Sequence, residues 1–290
     1  MQTVFFLSDY GTQDEFVGVV HAVLQAASPG LTIIDLSHQI PAFDVRAGAD
    51  TLSRAVPHLG SGVVLAVVDP GVGSERRGLC LQVAPAGRAA PAFFVGPDNG
   101  LLVEAAERAG AGPVARAFAL RWSGEVGART FDGRDLFAPA AAALCRGTPP
   151  EELGDPVDPQ SLVRLARRQV AFGKHPDGRR WLRAEVSWVD RFGNVQLAVT
   201  AAEAQSGELP ADGRLDLTTE PAEGITEPAQ GTTVPAQGTT VRRVGVFADL
   251  APGELGLLID GNGHVALVAG EASAATMLAI DVGEIVVMTW

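Results

Sequence analysis

Short apolar runs alternate with segments of helical spacing through the first half of this 290-residue chain, and this alternation constrains its fold most strongly. Runs rich in Val, Ile and Phe are typical of strands, and they occur at residues 3–7, 31–36, 63–68, 79–83 and 92–95. Apolar residues recur at helical spacing in residues 15–27, 45–56, 101–109 and 136–146. The pattern predicts βαβ units and a mostly parallel sheet with helices on both faces.

The pattern changes after about residue 150, where strand-like runs begin to dominate. Turns that contain Gly separate these runs, which is typical of a small barrel or sandwich. The runs lie at residues 181–189, 195–199, 214–217, 244–247, 255–259, 264–268 and 284–289. We place the boundary between the two halves near residues 170–180.

Residues 221–241 contain three imperfect seven-residue units, PAEGITE, PAQGTTV and PAQGTTV. Every copy holds Pro and Gly, so the segment cannot be a heptad helix. The period is also too short for a solenoid repeat with its own core. We interpret the segment as an expanded surface hairpin loop that takes no part in chemistry.

The composition argues against several classes of protein. A formal net charge of −12 argues against nucleic-acid binding, which requires a basic face. No apolar run approaches the ~20 residues that span a bilayer, and no basic residue precedes the apolar N-terminus as in a signal peptide. The two cysteines, Cys80 and Cys145, lie in unrelated contexts and indicate neither a disulfide framework nor a metal site. We therefore expect a cytoplasmic protein with no membrane or nucleic-acid partner.

Polar residues directly follow the predicted strands, where sheets of this kind bind ligands. Asp9 follows the first strand in SDYGTQDEF, and its carboxylate can accept two hydrogen bonds from a ribose diol. The alternative is that Asp9 or Thr12 caps the helix that begins near Asp14. The sequence leaves these two interpretations open.

Two further blocks follow strands three and five of the first half. In VDPGVGSERRG, Asp69 and Arg76 can form an ion pair across a tight turn, although turns of this sort are usually structural. The block is not a phosphate-binding P-loop, because no Gly-Lys-Ser/Thr follows. In FVGPDNGLL, Asn99 lies in a strong turn signal ahead of a helix.

The remaining two blocks are also ambiguous when taken singly. In RTFDGRDLFAP, Asp132 belongs to a charged cluster that is more often a helix cap and ion-pair network than a catalytic site. In WVDRFGNVQL, Asp190 and Asn194 flank Phe192 and Gly193 in an expected β-turn, which by itself is an ordinary hairpin loop.

Taken in order, the blocks resemble the S-adenosyl-L-methionine hydroxide adenosyltransferase family, relatives of the fluorinases and chlorinases. The matching blocks are SDYGTQDEFVG, DLSHQIPAFDVRAGA, VVDPGVGSERR, VGPDNGLL, TFDGRDLFAP and VDRFGNVQL. The resemblance implies an α/β fold, with a Rossmann-like parallel-sheet domain over residues 1–172 and a smaller C-terminal β-barrel domain over residues 173–290. It also implies a homotrimer with sites where the two domain types of neighbouring subunits meet.

The resemblance implies a substrate-binding role at several matching positions. Asp9 would hold the ribose hydroxyls, and Phe43 in the block PAFDV would stack on the nucleoside. Asp190 would face the methionine ammonium and Asn194 the adenine edge. The further candidates for substrate binding are Asn99, Phe192 and Asn262.

Asp69 and Arg76 match two members of the family's water-activating triad. The third member is a histidine in a TFHGRD block, where this chain has Asp132. The halogenases carry Tyr at the position of Asp69, so at this position the chain resembles the hydrolases. Near the C-terminus, the family's Asn-Ser-x-Gly-Tyr turn, which grips the methionine carboxylate, is replaced by DGNGH around Asn262, whose backbone N–H groups can still serve a carboxylate.

We therefore expect hydrolysis of S-adenosyl-L-methionine at ribose C5′, giving adenosine and L-methionine without a metal or other cofactor. Asp69 and Asp132, poised by Arg76, can share a proton, and either can take one from the attacking water. The alternative is that Asp132 disables the water site and leaves a non-catalytic protein that binds adenosine or S-adenosyl-L-methionine. Halogenation at C5′ is least expected, because a second carboxylate raises the cost of placing a halide beside it.

Overall fold

The computed structural model describes residues 3–84, 92–122, 129–210, 214–220 and 239–290. The chain divides into two compact units, Met1–Ala166 and Arg167–Trp290. Most of the segment interpreted as a surface loop, residues 221–238, lies outside the described residues. No helix within the described ranges is both long and apolar enough to cross a bilayer.

A single sheet forms the centre of the N-terminal unit. Its strands are β1 Thr3–Ser8, β2 Thr32–Ser37, β3 Val63–Val67, β4 Gly78–Gln82, β5 Phe93–Pro97, β6 Arg116–Leu120 and β7 Gly154–Val157. They lie in the order β2-β1-β3-β5-β4-β6-β7. Strands β2, β1, β3 and β5 are parallel, which confirms the α/β class expected from strand–helix alternation.

Helices cover both faces of this sheet. They are α1 Phe16–Ala27, α2 Val45–Ala55, α3 Val103–Gly110, α4 Ala138–Cys145 and the short α5 Pro150–Leu153. Buried residues of α1 and α4 share one apolar cluster with alternate residues of β1 and β3, whereas α2 and α3 share the other cluster. Period-two alternation along each strand supplies both clusters, because successive side chains point to opposite faces.

Three strands depart from the parallel pattern. Strand β4 pairs antiparallel with β5, β6 with β4, and β7 with β6. The sequence pattern missed β6 and β7. Strand β7 reads GDPV, and Asp155 and Pro156 are disfavoured in strand interiors. Proline is tolerated there because β7 is the last strand of the described sheet.

The C-terminal unit is a closed β-barrel, one of the two forms that the short strands indicated. Its strands are β8 Val170–Lys174, β9 Arg180–Val189, β10 Val195–Thr200, β11 Arg214–Glu220, β12 Thr239–Arg243, β13 Leu255–Ile259, β14 His264–Ala269 and β15 Ile285–Thr289. The ring runs β9-β10-β14-β13-β12-β11-β15 and closes where β15 pairs with β9, while β8 pairs with β9 outside the ring. Helices α6 Ala201–Ser206 and α7 Ala274–Leu278 complete the unit.

Alternate residues of the barrel strands form its apolar interior. Leu182, Ala184 and Val186 of β9 are fully buried and belong to one cluster with residues of the facing strands. Two free cysteines, Cys80 and Cys145, are buried in the N-terminal unit.

One predicted strand is wrong. Residues 244–247 were expected to be extended, but the strand in this region ends at Arg243, and Phe247–Asp249 forms a short 3₁₀ turn. The carboxylate of Asp249 accepts hydrogen bonds from the amides of Gly245 and Val246 at 3.0 and 3.1 Å. This side-chain cap competes with the strand ladder and turns the backbone away.

Candidate active site

The carboxyl ends of the parallel strands β1, β3 and β5 place Asp9, Asp69 and Asn99 at one edge of the sheet. The Asp9 amide lies 3.4 Å from the Val67 carbonyl oxygen, and Asn99 Nδ2 donates to the Val68 carbonyl at 2.8 Å. Both neighbouring loops therefore contact the end of β3. This is the edge at which open parallel sheets bind their ligands.

The ion pair expected between Asp69 and Arg76 is present, and Asp132 joins it. Arg76 Nε lies 3.0 Å from each carboxylate oxygen of Asp69, and Arg76 Nη2 also bonds Asp69 Oδ2. The same Nη2 donates to Asp132 Oδ2 at 2.5 Å. The side chains of Arg76, Asp69 and Asp132 are only 10%, 5% and 1% exposed. The structure thus brings the three expected catalytic residues into one buried network.

Arg76 is fixed as a cation at the centre of this network. Burial by itself lowers the pKa of the guanidinium, but hydrogen bonds and charges from Asp69 and Asp132 outweigh burial and raise the pKa. The guanidinium carbon also lies 5.3 Å from the ring centre of Phe137, in a π-helical turn that precedes α4. Ring and carboxylates together restrict the orientation of the cation.

Two atoms of the network are buried without a hydrogen-bond partner among the described residues, Arg76 Nη1 and Asp132 Oδ1. The first is a donor and the second an acceptor, and buried polar groups are normally paired with protein, water or ligand. A second cation contributes, because Arg129 Nη2 lies 3.4 Å from Asp132 Oδ2. Two guanidinium groups therefore offset the two carboxylates.

Close backbone packing fixes the loop that carries Arg76. Gly73 in this loop has a φ of +79°, and a Cβ there would lie 2.6 Å from the Arg129 carbonyl oxygen. Only glycine allows both the left-handed backbone and so short an approach. The loop after β3 is thereby held against the segment that leads to Asp132.

Tyr10 belongs to the same centre, although the sequence analysis did not single it out. A Cβ on Gly133 would lie 2.1 Å from the Tyr10 hydroxyl oxygen, so the hydroxyl contacts the backbone next to Asp132. Burial raises the pKa of Tyr10, and the charges of Asp9, Asp69 and Asp132 raise it further. The hydroxyl is therefore protonated at neutral pH. The available signal was its position directly after Asp9 as the single tyrosine of the chain.

Asp9 holds the segment that carries Phe43. Asp9 Oδ2 accepts a hydrogen bond from the Phe43 amide at 2.9 Å. The helix-capping alternative is wrong, because α1 begins after Glu15 without a side-chain cap and Thr12 instead accepts from Gln39. Phe43 has a φ of +68° and is 72% exposed, so a strained backbone presents its ring to solvent.

Asn99 uses its side chain within the protein. Its Nδ2 donates to the Val68 carbonyl, and its Oδ1 accepts from the Leu101 amide at 3.2 Å. Both ends of the amide therefore bridge the loops after β3 and β5. This arrangement favours a positioning role over direct contact with substrate, and substrate binding by Asn99 stays a prediction.

In the C-terminal unit, Asp190 closes the turn between β9 and β10. Its Oδ1 accepts from the amides of Phe192 and Asn194 at 2.8 and 2.9 Å, and its Oδ2 accepts from Asn194 Nδ2 at 2.7 Å. Asp190 thus orients the Asn194 side chain. The expected contacts of Asp190 with an ammonium group and of Asn194 with adenine stay predictions.

The turn between β13 and β14 is built in the same way. Asp260 Oδ1 accepts from the amides of Asn262 and His264 at 2.8 and 2.9 Å. Gly193 and Gly263, at matching positions of the two turns, have φ values of +82° and +78°. The hydrogen bonds that Asp190 makes are therefore a general solution for closing this turn and do not by themselves indicate a ligand.

A cavity of about 600 Å³ lies beside the turn closed by Asp190. It is lined by Phe192, Asn194, Phe247, Ala269, Glu271, Ala272 and Ser273. Phe192 and Phe247 are 70% and 52% exposed and offer two aromatic faces. Asn262 lies at the other end of β10, because the Ala201 amide after β10 donates to the Gly263 carbonyl at 2.8 Å, whereas Asn194 directly precedes this strand.

Several lining residues were missed by the sequence analysis for identifiable reasons. Phe247 was assigned to a strand, whereas it begins the 3₁₀ turn that presents its ring. Glu271 has a φ of +49°, and Ser273 caps α7 by accepting from the Thr276 amide. A Cβ on Gly193 would lie 2.0 Å from Ser273 Oγ, which fixes the β9–β10 turn against this cap.

Fold and site define a protein with an α/β domain, a β-barrel domain and a buried carboxylate–guanidinium centre at the carboxyl ends of parallel strands. Family models described as the SAM hydroxide adenosyltransferase N-terminal and C-terminal domains match residues 4–154 and 184–287. The chain belongs to this family, which confirms the resemblance of its sequence blocks.

Individual relatives are similar over much of the chain. A protein of Salinispora tropica named (R)-S-adenosyl-L-methionine hydrolase is 39% identical over 282 residues, which cover 97% of this chain and 95% of that protein. A protein of Thermus thermophilus with the same name is 45% identical over 208 residues, covering 67% and 73%. The crystal structure of an uncharacterized conserved protein from Thermotoga maritima superposes with a TM-score of 0.82 at 27% identity, covering 98% and 99%.

Proteins named fluorinase are less similar. That of an Actinoplanes species is 26% identical over 185 residues, which cover 57% of this chain and 61% of the fluorinase.

Proposed function

We propose that this protein hydrolyses S-adenosyl-L-methionine at ribose C5′, giving adenosine and L-methionine. Membership of the family and the names of the relatives at 39% and 45% identity support the substrate and the reaction. The observation that carries the mechanism is the buried network of Asp69, Arg76 and Asp132, with one donor and one acceptor atom unpaired.

The reaction joins a water oxygen to C5′ and breaks the C5′–S bond. The electron pair of that bond passes to sulfur, so the sulfonium becomes the neutral thioether of methionine. One proton leaves the water, and a carboxylate of Asp69 or Asp132 accepts it. Positive charge on sulfur disappears in the transition state, so a dry pocket favours the step if the water is held in line.

The network holds both kinds of group that a nucleophilic water needs. An N–H of Arg76 can donate to the water oxygen, and Oδ1 of Asp132 can accept a water proton, since both are buried and unpaired among the described residues. General-base assistance of this kind is worth ~10²–10⁴-fold in rate. Asp132 therefore takes the place of the family's histidine as a proton acceptor that Arg76 orients.

Residues of both units bind the substrate in this proposal. Asp9 accepts hydrogen bonds from the ribose hydroxyls, since a carboxylate that holds the Phe43 amide still has acceptor sites free. Phe43 stacks on the nucleoside with its exposed ring. The cavity that Phe192, Asn194 and Phe247 line receives the adenine, whose π-face suits aromatic walls and whose edge suits an amide.

We also infer a homotrimer, in which each site joins the N-terminal unit of one subunit to the C-terminal unit of the next. The family resemblance supports this assembly, and so does the division of candidates, since the carboxylate network lies in one unit and the aromatic cavity in the other. A cytoplasmic location is proposed on the same basis, with two unpaired cysteines suited to a reducing compartment.

A second candidate function is binding without turnover, and the replacement of the family histidine by Asp132 favours it. Transfer of halide to C5′ is supported less, because the fluorinases are more distant relatives than the proteins named as hydrolases.

The deciding experiment is incubation of the purified protein with S-adenosyl-L-methionine, with and without chloride, followed by chromatography of the nucleosides. We expect adenosine to form at the same rate in both conditions. Asp69→Asn should lower the rate at least ~10²-fold, whereas Asp155→Asn, in an exposed ion pair of the same unit, should leave it unchanged. No turnover with saturable binding identifies a binding protein, and a chloride-dependent product identifies a halogenase.

A further inference from the structure

His21, Asp35 and His38 converge on the surface of the N-terminal unit, outside the carboxylate network. His21 lies on α1, Asp35 on β2, and His38 directly after β2. His21 Nε2 lies 2.9 Å and His38 Nε2 lies 3.1 Å from the same oxygen, Asp35 Oδ1. The three ligand atoms all lie within 4.8 Å of one another. Two imidazole nitrogens and a carboxylate oxygen therefore share one small volume.

His38 presents a buried nitrogen to this volume. Its side chain is 7% exposed, and Nε2 has no hydrogen-bond partner of acceptable geometry among the described residues. The described residues give Nε2 only the 3.1 Å contact with Asp35 Oδ1, which falls short of hydrogen-bond geometry, whereas buried polar groups are normally satisfied by protein, water or an ion. A metal ion bonded to Nε2 would satisfy it.

The other ring nitrogen of His38 is already held. Its Nδ1 lies 2.7 Å from the hydroxyl oxygen of Ser8, which is fully buried and also accepts from the Tyr10 amide at 3.3 Å. If Nδ1 donates to the hydroxyl, the lone pair of Nε2 faces His21 and Asp35. Metal-binding histidines commonly have their second nitrogen fixed by such a partner.

Asp35 and His21 form the exposed side of the cluster. The carboxylate is 41% exposed and the His21 side chain 33% exposed, so the cluster is open to solvent on one side. An ion can enter from that side without a change in the fold.

We propose that His21, Asp35 and His38 form a binding site for a divalent transition-metal ion, with a position left open to water. Ligands at 2.0–2.2 Å from a tetrahedral zinc ion are about 3.3–3.6 Å apart. The two separations from Asp35 Oδ1 are 2.9 and 3.1 Å, and all three ligand atoms lie within 4.8 Å of one another. Imidazole suits Zn²⁺ and Fe²⁺, whereas Mg²⁺ prefers oxygen ligands alone. No metal site was expected from the sequence, since the two cysteines lie in unrelated contexts.

The bound ion would join helix α1 to strand β2, which is the outermost strand at its end of the described sheet. Ser8, which holds His38, is followed directly by Asp9 of the proposed substrate site. The site would therefore stabilise the β1 end of the sheet that carries Asp9. This inference does not depend on the proposed hydrolysis.

The test is calorimetric titration of Zn²⁺ into chelator-treated protein that carries no affinity tag, with Mg²⁺ as the hard-cation comparison. We expect one equivalent of Zn²⁺ to bind and Mg²⁺ not to bind. His21→Ala and Asp35→Asn, both at solvent-accessible positions, should each weaken Zn²⁺ at least ~10-fold. His58→Ala is the matched control, because His58 is an exposed histidine of the same unit. This variant should bind Zn²⁺ with the affinity of the unaltered protein.

A parallel titration with Fe²⁺ under anaerobic conditions decides which transition metal the site prefers. Co²⁺ allows a spectroscopic measurement, because the visible absorption of bound Co²⁺ reports direct coordination. This absorption should disappear in His21→Ala. The absence of saturable Zn²⁺, Fe²⁺ and Co²⁺ binding would overturn the proposal. So would unchanged affinity in both His21→Ala and Asp35→Asn, or equal binding of Mg²⁺.

Discussion

Asp132 is the residue whose chemistry most needs a direct test. It is 1% exposed and bonded to Arg76, so its removal takes one carboxylate from the network while Asp69 still pairs the cation. We predict that Asp132→Ala lowers kcat at least ~10²-fold and that Asp132→His retains more activity than Asp132→Ala. Adenosine release under saturating substrate is the measurement.

A control lies in the same sequence block. Asp135 forms an ion pair with Arg134, whereas the carboxylates bonded to Arg76 among the described residues are those of Asp69 and Asp132. Asp135→Ala should therefore match the unaltered protein in kcat. Full activity in Asp132→Ala would show that this carboxylate has no part in turnover.

Tyr10 gives the protein a specific dependence on alkaline pH. Burial, then the charges of Asp9, Asp69 and Asp132, raise the pKa of Tyr10 above its ordinary value of 10.0. Above pH 10 the unfolded chain loses this proton while the folded protein keeps it, so stability falls as pH rises. We predict that this fall is smaller in Tyr10→Phe, by about 1.4 kcal/mol in total when the pH has reached 11.

Urea unfolding of both proteins between pH 8 and pH 11 measures the difference. Because Tyr10 is the only tyrosine, the ultraviolet absorbance of phenolate reports its ionisation without interference. Absorbance that titrates near pH 10 in the folded protein would contradict the burial argument.

The sequence predicted those contacts of the site that join residues close together in the chain. Asp69 and Arg76 are joined across one turn, so their spacing was sufficient to predict the pair. The contribution of Tyr10 arises from a contact between distant segments, which no spacing in the sequence reports, whereas Arg129 lies three residues before Asp132 in the same block and was overlooked. Asp132 required the family resemblance, because a charged cluster at a helix start is ordinarily a cap.

At the scale of elements, the turn closed by Asp190 offers a matched comparison. Gly193 and Gly263 have nearly the same positive φ, but a Cβ on Gly193 would meet Ser273 Oγ at 2.0 Å, whereas nothing lies within 4 Å at Gly263. We predict that Gly263→Ala costs only the backbone strain of ~1–2 kcal/mol, and Gly193→Ala costs more.

Binding should separate the two variants further. Gly193→Ala displaces Phe192 and Asn194 from the cavity, so it should raise KM for S-adenosyl-L-methionine, while Gly263→Ala should not. Thermal unfolding and steady-state kinetics measure the two effects. Equal KM values in both variants would mean that the contact with Ser273 does not position the turn.

Elements were predictable where an apolar face is large and regular. The strands β1 and β3 alternate perfectly between two buried clusters, and both were found from the sequence. Strand β7 has no such pattern, since it consists of Gly, Asp, Pro and Val and pairs at the sheet edge. The direction of β4 was not predictable either, because an apolar run has the same composition in both orientations.

At the scale of the whole molecule, the proposed trimer predicts complementation between inactive subunits. Asp69→Asn removes the N-terminal half of a site, and Asn194→Ala removes the C-terminal half. If each site joins two subunits, random mixing leaves about one quarter of the sites with both halves intact. We therefore predict recovery of about one quarter of the activity when the two variants are co-expressed.

Light scattering provides the accompanying measurement, with an expected mass of three times 30.1 kDa. If co-expression of the two variants recovers no activity, the two halves of each site lie in the same subunit. A monomer in solution would also contradict the assembly.

In the two turns closed by Asp190 and Asp260, the residues that fix the backbone are different from the residues whose side chains are free to contact a ligand. In each, an aspartate carboxylate and a glycine with positive φ satisfy the backbone, whatever side chains lie between them. Phe192 and Asn194 in one turn correspond to Asn262 and His264 in the other. Substitutions at these positions can therefore alter what the tip of the hairpin contacts while the hairpin itself persists.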